Sequence, residues 1–138
     1  MEKVQNKMSL ETKSIAVHRD SRGWLAEIFR PEILGSKPGQ INITTAYPGA
    51  CKANHYHKKK NEWYCVIKGK MKLVLKDMKT SEMQEVILDE DELKLVRIKA
   101  GIAHGFKNIG SEMLYLLYYV DMPYNPKNPD TYPAELIK

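Results

Sequence analysis

The chain has 138 residues, 43% of them hydrophobic and 28% charged, with a formal net charge of +5. These values describe one domain of ordinary size with a single core and exclude a disordered chain. The lysines form no basic helix or stripe and no apolar run approaches the ~20 residues of a membrane span, so neither nucleic acid nor membrane is an expected partner.

The first residues, MEKVQNKMSLETKS, are polar and lack the apolar centre of a signal peptide, which points to a cytoplasmic protein. Residues 13–18 (KSIAVH) and 24–29 (WLAEIF) read as strands around the turn cluster DSRG. Residues 40–47 (QINITTAY) alternate, carry β-branched side chains and end at Pro48-Gly49. Further strands are expected at 63–67, 71–76, 83–88, 93–98 and 103–107, with turns at Lys68-Gly69, Asp77–Ser81, Ala100-Gly101 and Asn108–Ser111. Residues 113–120 (MLYLLYYV) are the most apolar stretch and read as a fully buried strand. The proline-rich residues 121–138 read as an extended arm over the body, and residues 1–12 as an N-terminal arm. Strands at spacings near ten residues, without a long helix, predict a single all-β domain over 1–138, a barrel or sandwich of the jelly-roll kind. Cys51 and Cys65 could pair across a hairpin, but free thiols are the expectation in a reducing compartment.

One stretch carries chemistry. In GACKANHYHKKKNEWYCVIKG, His55 and His57 are separated by one residue, so on a strand both face one way. Glu62 opens the next apolar run, and His104 follows a strand break in KAGIAHGFKN. Three imidazoles and a carboxylate suit a divalent transition metal with open positions. Taken singly, each of the four reads first as a polar surface or turn residue, with Glu62 a solvated charge, because exposed polar side chains are the rule.

The spacing Gly49-x5-His55-x-His57-x4-Glu62-x6-Gly69, followed by Gly101-x-x-His104-x-x-x-Asn108, resembles the paired motifs of the cupin superfamily. Only the leading proline of the second motif is missing, with Lys99 in its place. The resemblance implies a double-stranded β-helix, or jelly-roll barrel, with His55, His57, Glu62 and His104 as metal ligands. Within that superfamily, DSRGWLAEIF (residues 20–29), QINITTAYPGACKANHYH (residues 40–57) and IKAGIAHGF (residues 98–106) are similar to the dTDP-4-dehydrorhamnose 3,5-epimerases.

That second resemblance implies His55 as the base that takes the proton beside a sugar ketone, and Tyr115 as the acid on the opposite face. It implies Lys52 and Arg22 as diphosphate contacts, with Arg22 alternatively capping its own turn, and Glu27 as a further substrate-binding position. Epimerases of this type carry a lysine for the enolate, where this chain has Glu62-Trp63, and they need no metal. HYHKKKNEWYCVIKGKMKLVLKD also resembles the cupin domain of capsular-polysaccharide enzymes that bind a divalent metal.

Together these imply an isomerase or epimerase of a dTDP- or UDP-linked 4-keto-6-deoxy sugar in polysaccharide biosynthesis, forming a homodimer. The cofactor would be Zn, Ni, Fe or Mn, or none if the chain behaves as a strict epimerase. His55 cannot bind a metal and take a proton with the same nitrogen, and with His57, Glu62 and His104 all present ligation is the expectation. The alternative is a metal-binding cupin that binds or senses a small sugar-like ligand without turnover; a metal-dependent dioxygenase would share the four ligands but not the DSRGWLAEIF match. Tyr64, Tyr115, Tyr118 and Tyr119 read as core or cavity wall, Trp24 and Trp63 as stacking or packing residues, and Lys58–Lys60 as a solvated loop.

Overall fold

The protein is described here by a computed structural model covering Met8, residues 10–35 and residues 38–138. Most of the expected N-terminal arm lies outside these residues. The described strands, in chain order, are β1 (Glu11–Ser14), β2 (His18–Asp20), β3 (Gly23–Leu25), β4 (Gln40–Ala46), β5 (Cys51–Tyr56) and β6 (Glu62–Lys68). After them come β7 (Lys70–Asp77), β8 (Met83–Asp89), β9 (Lys94–Ile98), β10 (Ile102–Asn108), β11 (Leu114–Val120) and β12 (Tyr132–Pro133). A single helical turn, α1 (Pro31–Leu34), follows the stretch read as a strand at 24–29. Pro31 presets its first residue, and Gly35 ends it at φ 60°.

Two five-stranded antiparallel sheets, ordered β1-β9-β6-β11-β4 and β12-β5-β10-β7-β8, face each other, and β2-β3 forms a separate ribbon. This is the expected jelly roll. Between the sheets, Tyr64, Val66, Met71, Leu73, Leu75, Val96, Ile98, Phe106, Leu114 and Leu116 form the main core. A second cluster covers the outer face of the first sheet, where Cys65, Leu93 and Leu95 pack against Ile15, Val17, Ile28, Phe29 and Ile33. β11 is therefore apolar on both faces, but not uniformly buried: Leu114 and Leu116 are enclosed while Tyr115 and Leu117 are half-exposed. Cys51 and Cys65 are free thiols on different sheets. Among the described residues no helix is long and apolar enough to cross a membrane.

A bulge at β5 departs from the simple alternation expected there. His55 pairs with His104 but Ala53 pairs with Gly105, leaving Asn54 as the extra residue. Ala53 and Asn54 both take left-handed backbone, at φ 65° and 55°. The Asn54 side chain spans to the arm, donating from Nδ2 to Ile137 O at 2.9 Å and accepting from Leu136 N at 3.0 Å and Ile137 N at 3.2 Å. It passes directly over Gly105, where an added Cβ would lie 2.1 Å from Asn54 Oδ1 and 3.0 Å from Ile137 Cγ2. Asn54 cannot swing aside without releasing its backbone partners. Gly105→Ala is therefore expected to destabilise the fold by about 1–3 kcal/mol in urea titration, the scale of an uncompensated buried polar group; an unchanged midpoint would show that the bulge yields freely.

A candidate metal and sugar-binding cavity

The two sheets splay at one end around a cavity of about 460 Å³, within the usual size of ligand sites. Its walls include Gln40, Asn42 and Thr44 from β4, His55 from β5, Glu62 from β6, and Tyr118 and Val120 from β11. Met122, Tyr124 and Thr131 of the C-terminal arm close one side. β4 is inverted relative to an ordinary edge strand. Its polar residues at every second position face inward, while Ile41 and Ile43 are 55% and 64% exposed.

At the floor lie the four residues of the cupin-like motifs. The ligand atoms of His55, His57, Glu62 and His104 are all within 4.8 Å of one another. Glu62 opens β6 between Ile98 of β9 and Val120 of β11, so a rigid sheet position aims its carboxylate across the interior. The imidazoles come from the other sheet: His104 pairs with His55 across β10 and β5, and His57 stands just past the end of β5. Glu62 Oε1 is 2.7 Å from His57 Nε2 and 3.0 Å from His104 Nε2.

The tautomers follow from the outer contacts. His57 Nδ1 donates to Asp130 O at 2.7 Å, and His104 Nδ1 donates to Ile102 O at 3.0 Å. Each acceptor is a carbonyl, so each Nδ1 carries a proton and each Nε2 is turned toward Glu62. Despite their proximity, Glu62 Oε1 and His104 Nε2 have no hydrogen-bond partner among the described residues. Three electron-rich atoms thus converge where only a proton or a cation relieves their repulsion. The donor set, two imidazoles and a carboxylate with backbone-tethered rings, fits a divalent transition metal.

His55 differs from the other two. Its ring centroid is 4.9 Å from that of His57 and 4.8 Å from that of His104, and the ring is half-exposed toward the cavity. Burial, reinforced by the His104 and His57 rings, pulls its imidazole down to about 4, so it is neutral at pH 7. Burial also pulls His57 down, but the adjoining Glu62 carboxylate outweighs it and leaves His57 above the ordinary histidine value. Burial pushes Glu62 up, and the His104 and His57 rings overcome it, holding the carboxyl well below the usual carboxylate range. Burial, with the Glu62 charge behind it, pushes the Tyr118 phenol upward, so it is protonated at neutral pH.

Other expected site residues fall elsewhere. Tyr115 lies on the opposite face of β11 from Leu114, Leu116 and the cavity-lining Tyr118. This corrects its expected place as the acid in the cavity, because strand alternation turns it away. Arg22 caps its own turn, with its backbone N 2.8 Å and its guanidinium 2.6 Å from the Asp20 carboxylate. Glu27 is paired with Arg30 on the exterior, away from the cavity. Lys52 is exposed at the rim, where Nζ donates to Thr44 Oγ1 at 2.9 Å. Trp24 sits on the exposed ribbon, and Trp63 packs outside the first sheet against Tyr119.

Lys60 was expected in a solvated loop, yet it is only 7% exposed and lines the cavity, with Nζ 5.6 Å from the Tyr124 ring centre. Its neighbours Lys58 and Lys59 do point to solvent. The available sequence signal was its parity with Glu62, two residues on.

Fold and site together define a cupin, a jelly roll with an imidazole–carboxylate centre between its sheets. The chain belongs to the polysaccharide biosynthesis C-terminal domain family, which it matches over residues 18–132. It is similar to the spore coat polysaccharide biosynthesis protein SpsL of Bacillus subtilis (strain 168), 34% identical over 127 residues that cover 88% of this chain and 84% of SpsL. It also resembles the capsular polysaccharide assembling protein CapF of Staphylococcus aureus, at 30% identity and a TM-score of 0.70 over 88% of this chain. The match covers 34% of CapF, so this chain spans about a third of that protein. The fold is shared with the dTDP-6-deoxy-D-glucose-3,5-epimerase RmlC of Legionella pneumophila Philadelphia 1, in complex with dTDP-4-keto-L-rhamnose. That likeness has a TM-score of 0.74 at 24% identity, over 86% of this chain and 69% of RmlC.

The proton balance of the centre predicts how metal-free protein responds to acid. Unfolded His55 takes its proton near 6.5 and folded His55 only near 4, so between these values the unfolded chain holds more protons and stability drops as the pH is lowered. Glu62 acts in the same direction lower down, its contribution being present above 4.5 and lost as pH falls below it. His57 opposes them, contributing fully below 6.5 and losing that contribution as pH rises through its raised value. In chelator-treated protein, Tm should decline from pH 6.5 toward 4, and His55→Asn should flatten that limb. An equal slope in the variant would assign the limb to another group.

Proposed function

We propose that the protein is an epimerase or isomerase of a nucleotide-linked 4-keto-6-deoxy sugar, dTDP- or UDP-bound, in polysaccharide biosynthesis. The observation that carries the reading is the convergence of Glu62 Oε1 with the Nε2 atoms of His57 and His104 in a polar cavity that leaves His55 facing the open side. Family membership, the likeness to SpsL and the keto sugar held by the RmlC neighbour support the substrate class.

In this reading His57, Glu62 and His104 hold a divalent cation (Zn, Ni, Fe or Mn), which when bound supplies a Lewis acid for a ketone oxygen. Among the described residues no hydrogen bond tethers the His55 ring, and its neutral nitrogen is the base. It takes the proton from the carbon beside the ketone; the C–H pair becomes the new C=C bond and the carbonyl π pair moves onto oxygen. Lys60 donates to that developing oxyanion, serving as the cation whose usual position along the strand this chain leaves unfilled. The Tyr118 phenol, on the sheet opposite His55, returns a proton to the other face of the carbon. Gln40, Asn42 and Thr44 offer amide and hydroxyl partners for sugar hydroxyls, and Lys52 at the rim is placed for the diphosphate.

The second reading, ligand binding without turnover, draws on one observation: Arg22 and Glu27 are engaged in local ion pairs outside the cavity. Incubation with dTDP- and UDP-4-keto-6-deoxyglucose in deuterated water separates the two. Deuterium should enter C3 or C5, and His55→Asn should slow that entry by about 100-fold or more. Absence of exchange on either sugar would leave the binding module. Elemental analysis should find a first-row divalent metal in purified protein, and Glu62→Gln should lose it; full retention by that variant would refute the assigned ligand set.

A further inference from the structure

The C-terminal arm reaches the floor of the cavity through one buried residue, Asp130, 6% exposed and in left-handed backbone at φ 51°. Its carboxylate gathers three successive backbone N–H groups. Oδ1 accepts from Lys58 at 2.9 Å, and Oδ2 accepts from Lys59 at 2.9 Å and Lys60 at 3.1 Å. Its backbone carbonyl accepts the Nδ1–H of His57 at 2.7 Å. Among the described residues it forms no ion pair, so these backbone donors satisfy a buried charge.

Three consecutive N–H groups meeting one carboxylate impose a tight turn on residues 58–60. That turn leaves Lys58 and Lys59 in solvent and brings Lys60 inward. We propose that Asp130 is the positioning residue of the site: its carboxylate fixes the turn that aims Lys60 into the cavity, and its carbonyl fixes the His57 ring toward Glu62. The two tasks sit on different atoms and are separable. Asp130→Gly removes the carboxylate, keeps the carbonyl and accommodates the left-handed backbone.

Lysine acetylation of the full chain, read by mass spectrometry, tests the placement without reference to turnover. Lys60 should react about tenfold more slowly than Lys58 and Lys59, as a locally protected group does, and should match them in Asp130→Gly. The metal content of Asp130→Gly should equal that of the parent protein, because the His57 contact remains. Where turnover is the readout, the inference rests on the function proposed above. There, Lys60→Met and Asp130→Gly should each slow deuterium exchange, by about 100-fold for the lost oxyanion donor, and the double variant should be no slower than the worse single one.

Lys60 still protected in Asp130→Gly, metal lost together with that protection, or additive effects in the double variant would each overturn the proposal. Should Asp130→Gly fail to fold, Asp130→Asn, which keeps one accepting oxygen, should show intermediate Lys60 labelling; parental labelling would overturn it. A parent protein that exchanges no keto sugar would refute the functional reading, while labelling and metal content would still decide the role of Asp130.

Discussion

A carboxylate stays ionised inside a β-sandwich only if positive charge, or the hydrogens of polar groups, come to meet it. Glu62 is 3% exposed, at the head of a strand hydrogen-bonded on both sides. The rest of the site is arranged around this constraint. The charge cannot move, because β6 is interior to its sheet, so the compensating groups are brought from the facing sheet. His57 and His104 bring rings whose far nitrogens are committed to backbone carbonyls, so that a proton or a cation taken up between their Nε2 atoms and Glu62 supplies the charge. The same contacts that leave Glu62 Oε1 without a hydrogen bond give a cation its binding geometry. Packing of Leu73, Leu75, Leu114 and Leu116 joins the sheets elsewhere; at the cavity end they are joined by charge.

Much of this was legible in the sequence, and the limits were physical. Strand period and turn residues anticipated an all-β barrel or sandwich of the jelly-roll kind, and the resemblance to the paired cupin motifs is what brought His55, His57, Glu62 and His104 together. Tyr115 was placed by the resemblance, across a two-residue gap, and period two offered no check because MLYLLYYV is apolar on both faces; the bulge opposite Tyr115 obscures the parity further. Arg22 and Glu27 fall in a motif whose match says nothing about local ion pairing, and each has an opposite charge two or three residues away. Lys60 was hidden by composition, since a run of lysines reads as solvent-exposed. Asp130 left no local trace, because its partners lie 70 to 73 positions earlier.

The inverted pattern of β4 was visible in QINITTA but unexplained until the cavity was seen. Isoleucines on the outer face and amides on the inner face are the reverse of what hydrophobic burial favours at a sheet edge. Here the interior at that end is polar, so Gln40, Asn42 and Thr44 belong inside. Gln40 and Asn42 are joined by a 2.9 Å side-chain bond, and Gln40 also accepts from Tyr124 N at 3.0 Å, tying the wall to the arm. A ligand therefore meets amides already held in place, which lowers the entropy lost on ordering them.

Because the arm supplies both a wall of the cavity and the anchor of its floor, core and site answer differently to damage there. The main core is built by β4 and β6 to β11, and among the described residues none of 121–138 belongs to it. The His57 ring and the turn at residues 58–60, by contrast, are held by Asp130. A proteolytic nick in the exposed residues 122–129 would therefore leave the sandwich folded and take away its chemistry.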